Sequence, residues 1–202
     1  MAKLDPAFKP LLSNHSLPAL RAYAGAVYGI WADFRLAYIN PGWFKFASEN
    51  GGEPVVTSSW TLGRSILDAI PEQLRKLYRN QYGAVLRSGT IWTHRYECSS
   101  DALYRVFRQV VCPLGKEGLL ISNSVIVSRP HDPGERPPSD PDERTYRNGV
   151  GVISQCGVCR RVRNQREPER WDWVPAWVRR VPEGVNSSIC PVCIGQLKRH
   201  AE

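Results

Sequence analysis

No stretch of this 202-residue chain stays apolar for the roughly 18 residues that a membrane-crossing helix needs. The first residues, Met1 to Pro6, form no apolar run of the signal-peptide type. The expected location is therefore the cytoplasm, with no membrane partner. A Gly-rich phosphate loop is missing, and so is a kinase ATP-binding module. No His stands in a helical context suited to accepting a phosphoryl group, and nothing links Ser and His into a nucleophile-and-base arrangement. The chain is accordingly expected not to be an enzyme. It shows no internal repeat, and its one biased tract is a Pro-rich stretch near the middle.

What is present is enough to build a core. Hydrophobic residues make up 42% and charged residues 23%, with seven Trp, eight Tyr and five Phe. The length suits one large domain, or a medium domain plus a small one. A formal charge of +8 invites a nucleic-acid reading. Its distribution weakens that reading. Residues 1–128 carry 14 Lys and Arg against 9 Asp and Glu, and residues 129–202 carry 13 against 10. The one local cluster is Arg160, Arg161, Arg163 and Arg166. Six Cys in a reducing compartment point to ligands or buried thiols before disulfides.

Along the chain, residues 1–19 hold Pro6, Pro10 and Pro18 and read as a poorly packed lead-in, followed by a short helix over 19–24. Residues 27–31 and 36–39 read as a hairpin of two strands. Asn40-Pro41-Gly42 turns the chain into a short helix carrying Trp43, Phe44 and Phe46. Residues 53–63 read as loop. From Pro71, Leu74, Leu77, Tyr78, Tyr82 and Val85 recur at helical spacing, with Asp68 placed to help cap the helix and Gly89 to end it. Strands follow over 91–98, 103–114 and 118–127, in a meander. Residues 129–146 contain five Pro and many charges and read as a stiff linker. The fold class expected is α+β, an antiparallel sheet with helices on one face.

The Cys pattern is the strongest signal. Cys156-Gly157-Val158-Cys159 and Cys190-Pro191-Val192-Cys193 form two C-x2-C turns separated by 30 residues. Each turn brings two sulfurs to about 3.5–4 Å, near two corners of a tetrahedron around Zn²⁺. Four thiolates leave no open position, so Cys156, Cys159, Cys190 and Cys193 are read as ligands of a structural zinc. The spacer is longer than the 15–20 residues of common sites and must fold on itself. Trp171, Trp173 and Trp177 supply apolar surface for that. A segment of about 50 residues builds little core unaided, so the metal acts as its staple.

Two stretches resemble known families. Tyr38-Ile39-Asn40-Pro41-Gly42-Trp43, Leu62-Gly63-Arg64-Ser65 and Val110-Val111-Cys112-Pro113-Leu114, in that order, resemble a PAS sensor domain over residues 20–128. The resemblance implies a sheet that senses a small ligand or pairs with a second copy, hence a homodimer. A haem-binding member is expected to offer a helical His, and residues 71–87 have none; the Asn-Cys-Arg-Phe run of a flavin photosensor is also missing. The pattern Cys156-x-x-Cys159-Arg-Arg-Val-Arg, Trp173-Val174-Pro175 and Ile189-Cys190-Pro191-Val192-Cys193 is similar to a segment that follows PAS domains in some bacterial signalling proteins.

The domain order expected is thus a lead-in at 1–19, a PAS-like domain at 20–128, a linker at 129–146 and a four-cysteine zinc module at 147–202. The function expected is a non-enzymatic sensory or regulatory protein whose zinc module docks a protein partner. Two alternatives stand beside it. One is a nucleic-acid-binding regulator using Arg160 to Arg166, Arg179 and Arg180. The other is a redox sensor in which thiolate and disulfide alternate. His200 is a minor candidate ligand, His94 is expected to be packed or solvent-facing before it is a pocket residue, Cys98 and Cys112 to be small strand hydrophobes, and Asn40 to shape its turn.

Overall fold

The computed structural model describes residues 2–199. It divides into two compact units, Met1–His94 with Arg108–Ser124, and Arg95–Phe107 with Val125–Glu202. Among the described residues, no helix is long and apolar enough to cross a membrane.

The strands of the larger sheet are β1 (Lys3–Leu4), β2 (Ala26–Trp31), β3 (Leu36–Ile39), β4 (Trp92–Glu97), β5 (Leu103–Leu114) and β6 (Gly118–Pro130), in the order β1-β3-β2-β6-β5-β4. The pairs β1–β3, β2–β3 and β2–β6 are antiparallel. The helices α1 (Leu17–Ala22), α2 (Pro41–Glu49), α3 (Val55–Ser59) and α4 (Glu72–Ser88) fall between β1 and β4. This is the expected α+β architecture, with the expected hairpin, long helix and meander in the expected order.

Helix α4 buries Leu74, Tyr78, Tyr82 and Val85, a stripe at three- and four-residue spacing. Gly89 ends it at φ 70°, where a side chain would be strained. Its N-terminus has no side-chain cap; Asp68 lies 3.6 Å from Arg64 instead. Helix α3 forms where loop was expected. Its β-branched residues are poor helix formers, but Glu53 accepts hydrogen bonds from Thr57 N and Thr57 Oγ1 at 3.1 and 2.7 Å.

The first 19 residues are not a loose lead-in. A 3-10 helix over Pro6–Leu12 places Phe8 and Leu12 fully in the interior with Val27, Ala37, Tyr38, Leu114 and Leu120. Two strand glycines make this possible. A Cβ on Gly29 would lie 2.4 Å from the Phe8 ring, and one on Gly118 2.8 Å from it. Asn40 fixes the opposite corner. Its Oδ1 accepts from Val27 N and Trp43 N, and its Nδ2 donates to the carbonyls of Leu20, Tyr23 and Gly25. The turn residue of the sequence reading is thus a fully buried tie between three elements.

The second unit contains β7 (Ile153–Cys156), β8 (Val162–Arg163), β9 (Trp171–Asp172) and β10 (Val185–Ser188), in the order β10-β7-β8-β9. The β7–β10 pair is parallel; β7–β8 and β8–β9 are antiparallel. Three short helices, α5 (Glu143–Tyr146), α6 (Pro175–Arg179) and α7 (Pro191–Arg199), complete it. One apolar cluster packs Tyr146, Ile153, Val162, Val174 and Trp177, with Val185 at the margin.

The Pro-rich stretch 129–146 belongs to this unit and packs closely within it, where a bare spacer was expected. Arg136, 7% exposed, donates from both Nη atoms to the Glu97 carboxylate at 2.7 and 2.9 Å. Its guanidinium lies over the Trp173 ring at 4.8 Å. Ser139 N donates to Trp173 O at 2.7 Å, and Tyr146 enters the core. Proline density suggested a stiff rod; a bidentate ion pair and aromatic cover make it part of the packing.

Candidate metal centre

The two Cys pairs lie 30 residues apart in sequence yet meet at one end of the small sheet. The reason is the parallel β7–β10 pair. The spacer runs out through β8, β9 and α6, and β10 then returns beside β7 with Ser188 opposite Cys156. Cys190 follows two residues later. The long insert is therefore the rest of the sheet.

Each pair sits on a tight turn. In the first, Arg160 N donates to Cys156 O at 3.0 Å, and Cys156 N donates to Arg161 O at 2.8 Å. Arg160 takes φ 65°, a left-handed conformation usually left to glycine. In the second, Pro191 opens α7 and Ile194 N donates to Cys190 O at 3.0 Å. Backbone amides also point at sulfur: Cys190 N at Cys156 Sγ (3.4 Å) and Cys193 N at Cys190 Sγ (3.5 Å).

The four Sγ atoms all lie within 4.8 Å of one another, and the Cys159–Cys190 pair is at 3.6 Å. A tetrahedron with metal–sulfur bonds of about 2.3 Å has edges of about 3.8 Å. Cys156, Cys159 and Cys190 are fully buried, and Cys193 is 2% exposed. Four thiols so close cannot ionise together without a cation. Hydrogen bonds from Cys159, Cys190 and Cys193 pull the Cys156 pKa below the ordinary thiol value. The same sharing pushes Cys193 up, with Cys156 the largest contributor. A dication removes this conflict by stabilising every thiolate, so the donor set fits a soft tetrahedral metal ion.

Arg136 stands near this centre. Burial works against its charge, but the Glu97 hydrogen bonds outweigh that, and with Cys159 nearby they hold its pKa above the usual arginine value. Of the basic cluster, Arg163 has a side-chain partner, and two arginines outside it form ion pairs. Arg163 Nε donates to Pro168 O at 2.9 Å, Arg170 pairs with Asp172 at 2.6 Å, and Arg179 pairs with Asp101 at 2.7 Å. His200 lies outside the described residues. Cys98 and Cys112 are half-buried outside the four-thiol group, and burial raises both thiols.

The interior of the first unit carries the other concentration of functional groups. His94 is 2% exposed, stacks on Trp92 at 4.4 Å and lies 2.8 Å from Tyr78 OH through Nε2. Next to these, Tyr82 OH donates to Gln109 Oε1 at 3.3 Å, and Gln109 Nε2 donates to Asn123 Oδ1 at 3.1 Å and to Tyr28 OH at 3.4 Å. Burial raises the Tyr28 pKa to about 12 and raises Tyr78 as well. His94 was expected packed or solvent-facing and is packed, whereas Gln109 and Asn123 were not singled out from the sequence. The available signal was Gln109 alternating with Phe107 and Val111 on one face of β5, and Asn123 in step with Leu119 and Ile121 on β6.

No family model and no curated protein matches the chain. Several solved structures are similar at low identity. The PAS domain of BvgS from Bordetella pertussis aligns at 13% identity over 55% of this chain and 84% of its own, with a TM-score of 0.42. The PAS domain of an HTR-like protein from Haloarcula marismortui aligns at 14% identity over 59% and 91%, with a TM-score of 0.35. VqmA from Vibrio cholerae, a LuxR-type receptor described as a dimer with a target DNA, aligns at 13% identity and a TM-score of 0.41 over 57% of this chain. This chain spans about half of that protein, 52%.

Proposed function

We propose that the chain is a non-enzymatic sensory or regulatory protein. Its first unit, PAS-like in element order, senses a small ligand, and its second unit is a zinc-stapled surface for a protein partner. The observation that carries the sensing half is the polar interior of the first unit. An apolar core would suffice for stability, yet Tyr28, Tyr78, Tyr82, His94, Gln109 and Asn123 place six hydrogen-bonding side chains in it. These groups hydrogen-bond to one another, and a polar ligand entering this interior would exchange with those bonds. The metal half is supported by four buried thiols on two tight turns. That burial also disfavours redox sensing, which calls for accessible thiolates. Among the arginines considered for nucleic acid, Arg179 is neutralised by its ion pair with Asp101, which lowers the positive charge that surface offers.

The test is a thermal-shift screen of the intact metal-loaded protein against small neutral polar metabolites, followed by hydrogen exchange with any hit. A binder should raise the melting temperature and protect α4 and β5, and Gln109→Leu should abolish that response. Turnover of a hit, or binding that Gln109→Leu leaves untouched, would contradict the reading.

A further inference from the structure

The outer half of β6 is an open strand edge. Strand β2 begins at Ala26, which pairs with Asn123, while β6 runs on to Pro130. In the sheet order β6 has only β2 and β5 as neighbours. Among the described residues no strand flanks β6 on its β2 side beyond Asn123, and alternate residues direct N–H and C=O groups into that space. Three consecutive apolar residues stand on this edge, Val125, Ile126 and Val127, exposed by 49%, 38% and 38%. Soluble proteins rarely leave such an edge unprotected.

The sequence of the edge says what covers it. Ser124-Val125-Ile126-Val127-Ser128 reads the same in both directions. Two copies laid antiparallel about a two-fold axis at Ile126 would set Ile126 opposite Ile126, Val125 opposite Val127 and Ser124 opposite Ser128. Every cross-strand pair is then apolar with apolar or hydroxyl with hydroxyl, the combinations that stabilise antiparallel sheets. The arrangement is isologous and closes on itself, and Pro130 stops the pairing from running further.

We propose that Ser124–Ser128 is a homotypic edge-strand interface, and that its partner is a second copy of this chain. The proposal gives an address to the homodimer that the sequence resemblance implies, and stands apart from the ligand and metal halves of the functional reading. A five-residue edge pair buries less than the roughly 1,200 Å² of a standard interface, so the association is expected to be weak, in the micromolar range.

Because Ile126 faces its own copy, one substitution places like charges across the axis. Sedimentation velocity of the intact metal-loaded chain, from about 5 to about 500 µM, should show a monomer–dimer equilibrium. Ile126→Lys and Ile126→Asp should each weaken it by about tenfold or more, and an equimolar mixture of the two should restore a dimer. Val150→Lys, at a position 83% exposed elsewhere in the chain, should change nothing. Circular dichroism melting curves matching the wild type confirm that each variant is folded. A wild-type dimer that survives both Ile126 variants overturns this interface and leaves pairing through another surface standing. A wild type that stays monomeric throughout overturns both, and points to a strand of another protein on the edge.

Discussion

The two units solve the problem of stability in different ways. The first buries large side chains in a sheet of long strands: Phe8, Leu12, Ile30, Leu36, Tyr38, Ile39, Tyr82, Leu119 and Ile121 are all below 2% exposure. Burial of that kind contributes roughly 1.5–3 kcal/mol per large side chain before entropy is counted. The second unit's own sheet has strands of two to four residues, and the apolar cluster under it is built from Tyr146, Ile153, Val162, Val174 and Trp177. Two elements stand in for the missing area, the four thiols and the Glu97–Arg136 ion pair. The contrast teaches where polar groups can be placed. A unit with surplus apolar burial can hold Gln109 and His94 inside, whereas a unit without it needs bonds of higher energy per residue.

The largest effect expected from this contrast is loss of the metal. Cys190→Ser, or exhaustive chelation, should unfold β7–β10 while the first unit keeps its protection, because structural zinc contributes about 10 kcal/mol or more in small modules. Hydrogen exchange resolved by peptide checks it; uniform loss of protection across both units would erase the distinction. Next comes Phe8→Ala, expected to cost the first unit about 3–5 kcal/mol in urea unfolding with metal content unchanged. Glu97→Gln should follow. It leaves a buried guanidinium without its counter-charge, at a cost of about 3 kcal/mol, and the loss should be smaller in Glu97→Gln combined with Arg136→Met.

These predictions also mark which features were legible in sequence. The Cys pairs, the 72–88 helix and the hairpin were, because each rests on spacing within one element. Phe8 was not. Its burial depends on glycines at positions 29 and 118, and a 3-10 helix rich in proline resembles a loop in composition. The parallel return of β10 and the partnership of Glu97 with Arg136, 39 residues apart, are long-range facts that no local periodicity encodes. The stretch 129–146 was misjudged for the same reason. Its charges read as solvated until a partner is known for each.

The smallest effect expected is on pH dependence. Asp172 is buried, which alone would raise its pKa, yet hydrogen bonds from Arg170, Asn164 and Tyr146 hold it below the usual carboxylate value. A depressed carboxylate contributes stability above its unfolded pKa of about 3.9 and loses it as pH falls through the lower folded value. The second unit should therefore weaken toward acid more steeply than Asp172→Asn does, as followed by melting temperature against pH under metal-saturated conditions.

The most direct test of the division between a self-sufficient unit and a stapled one is metal replacement in the intact chain. Stripped protein titrated with Co²⁺ should take up one ion per chain, develop the strong visible absorption of a tetrahedral tetrathiolate site, and regain amide protection in β7–β10 in step with it. A second unit that stays fully protected without metal, or Co²⁺ uptake that leaves its protection unchanged, would contradict the staple.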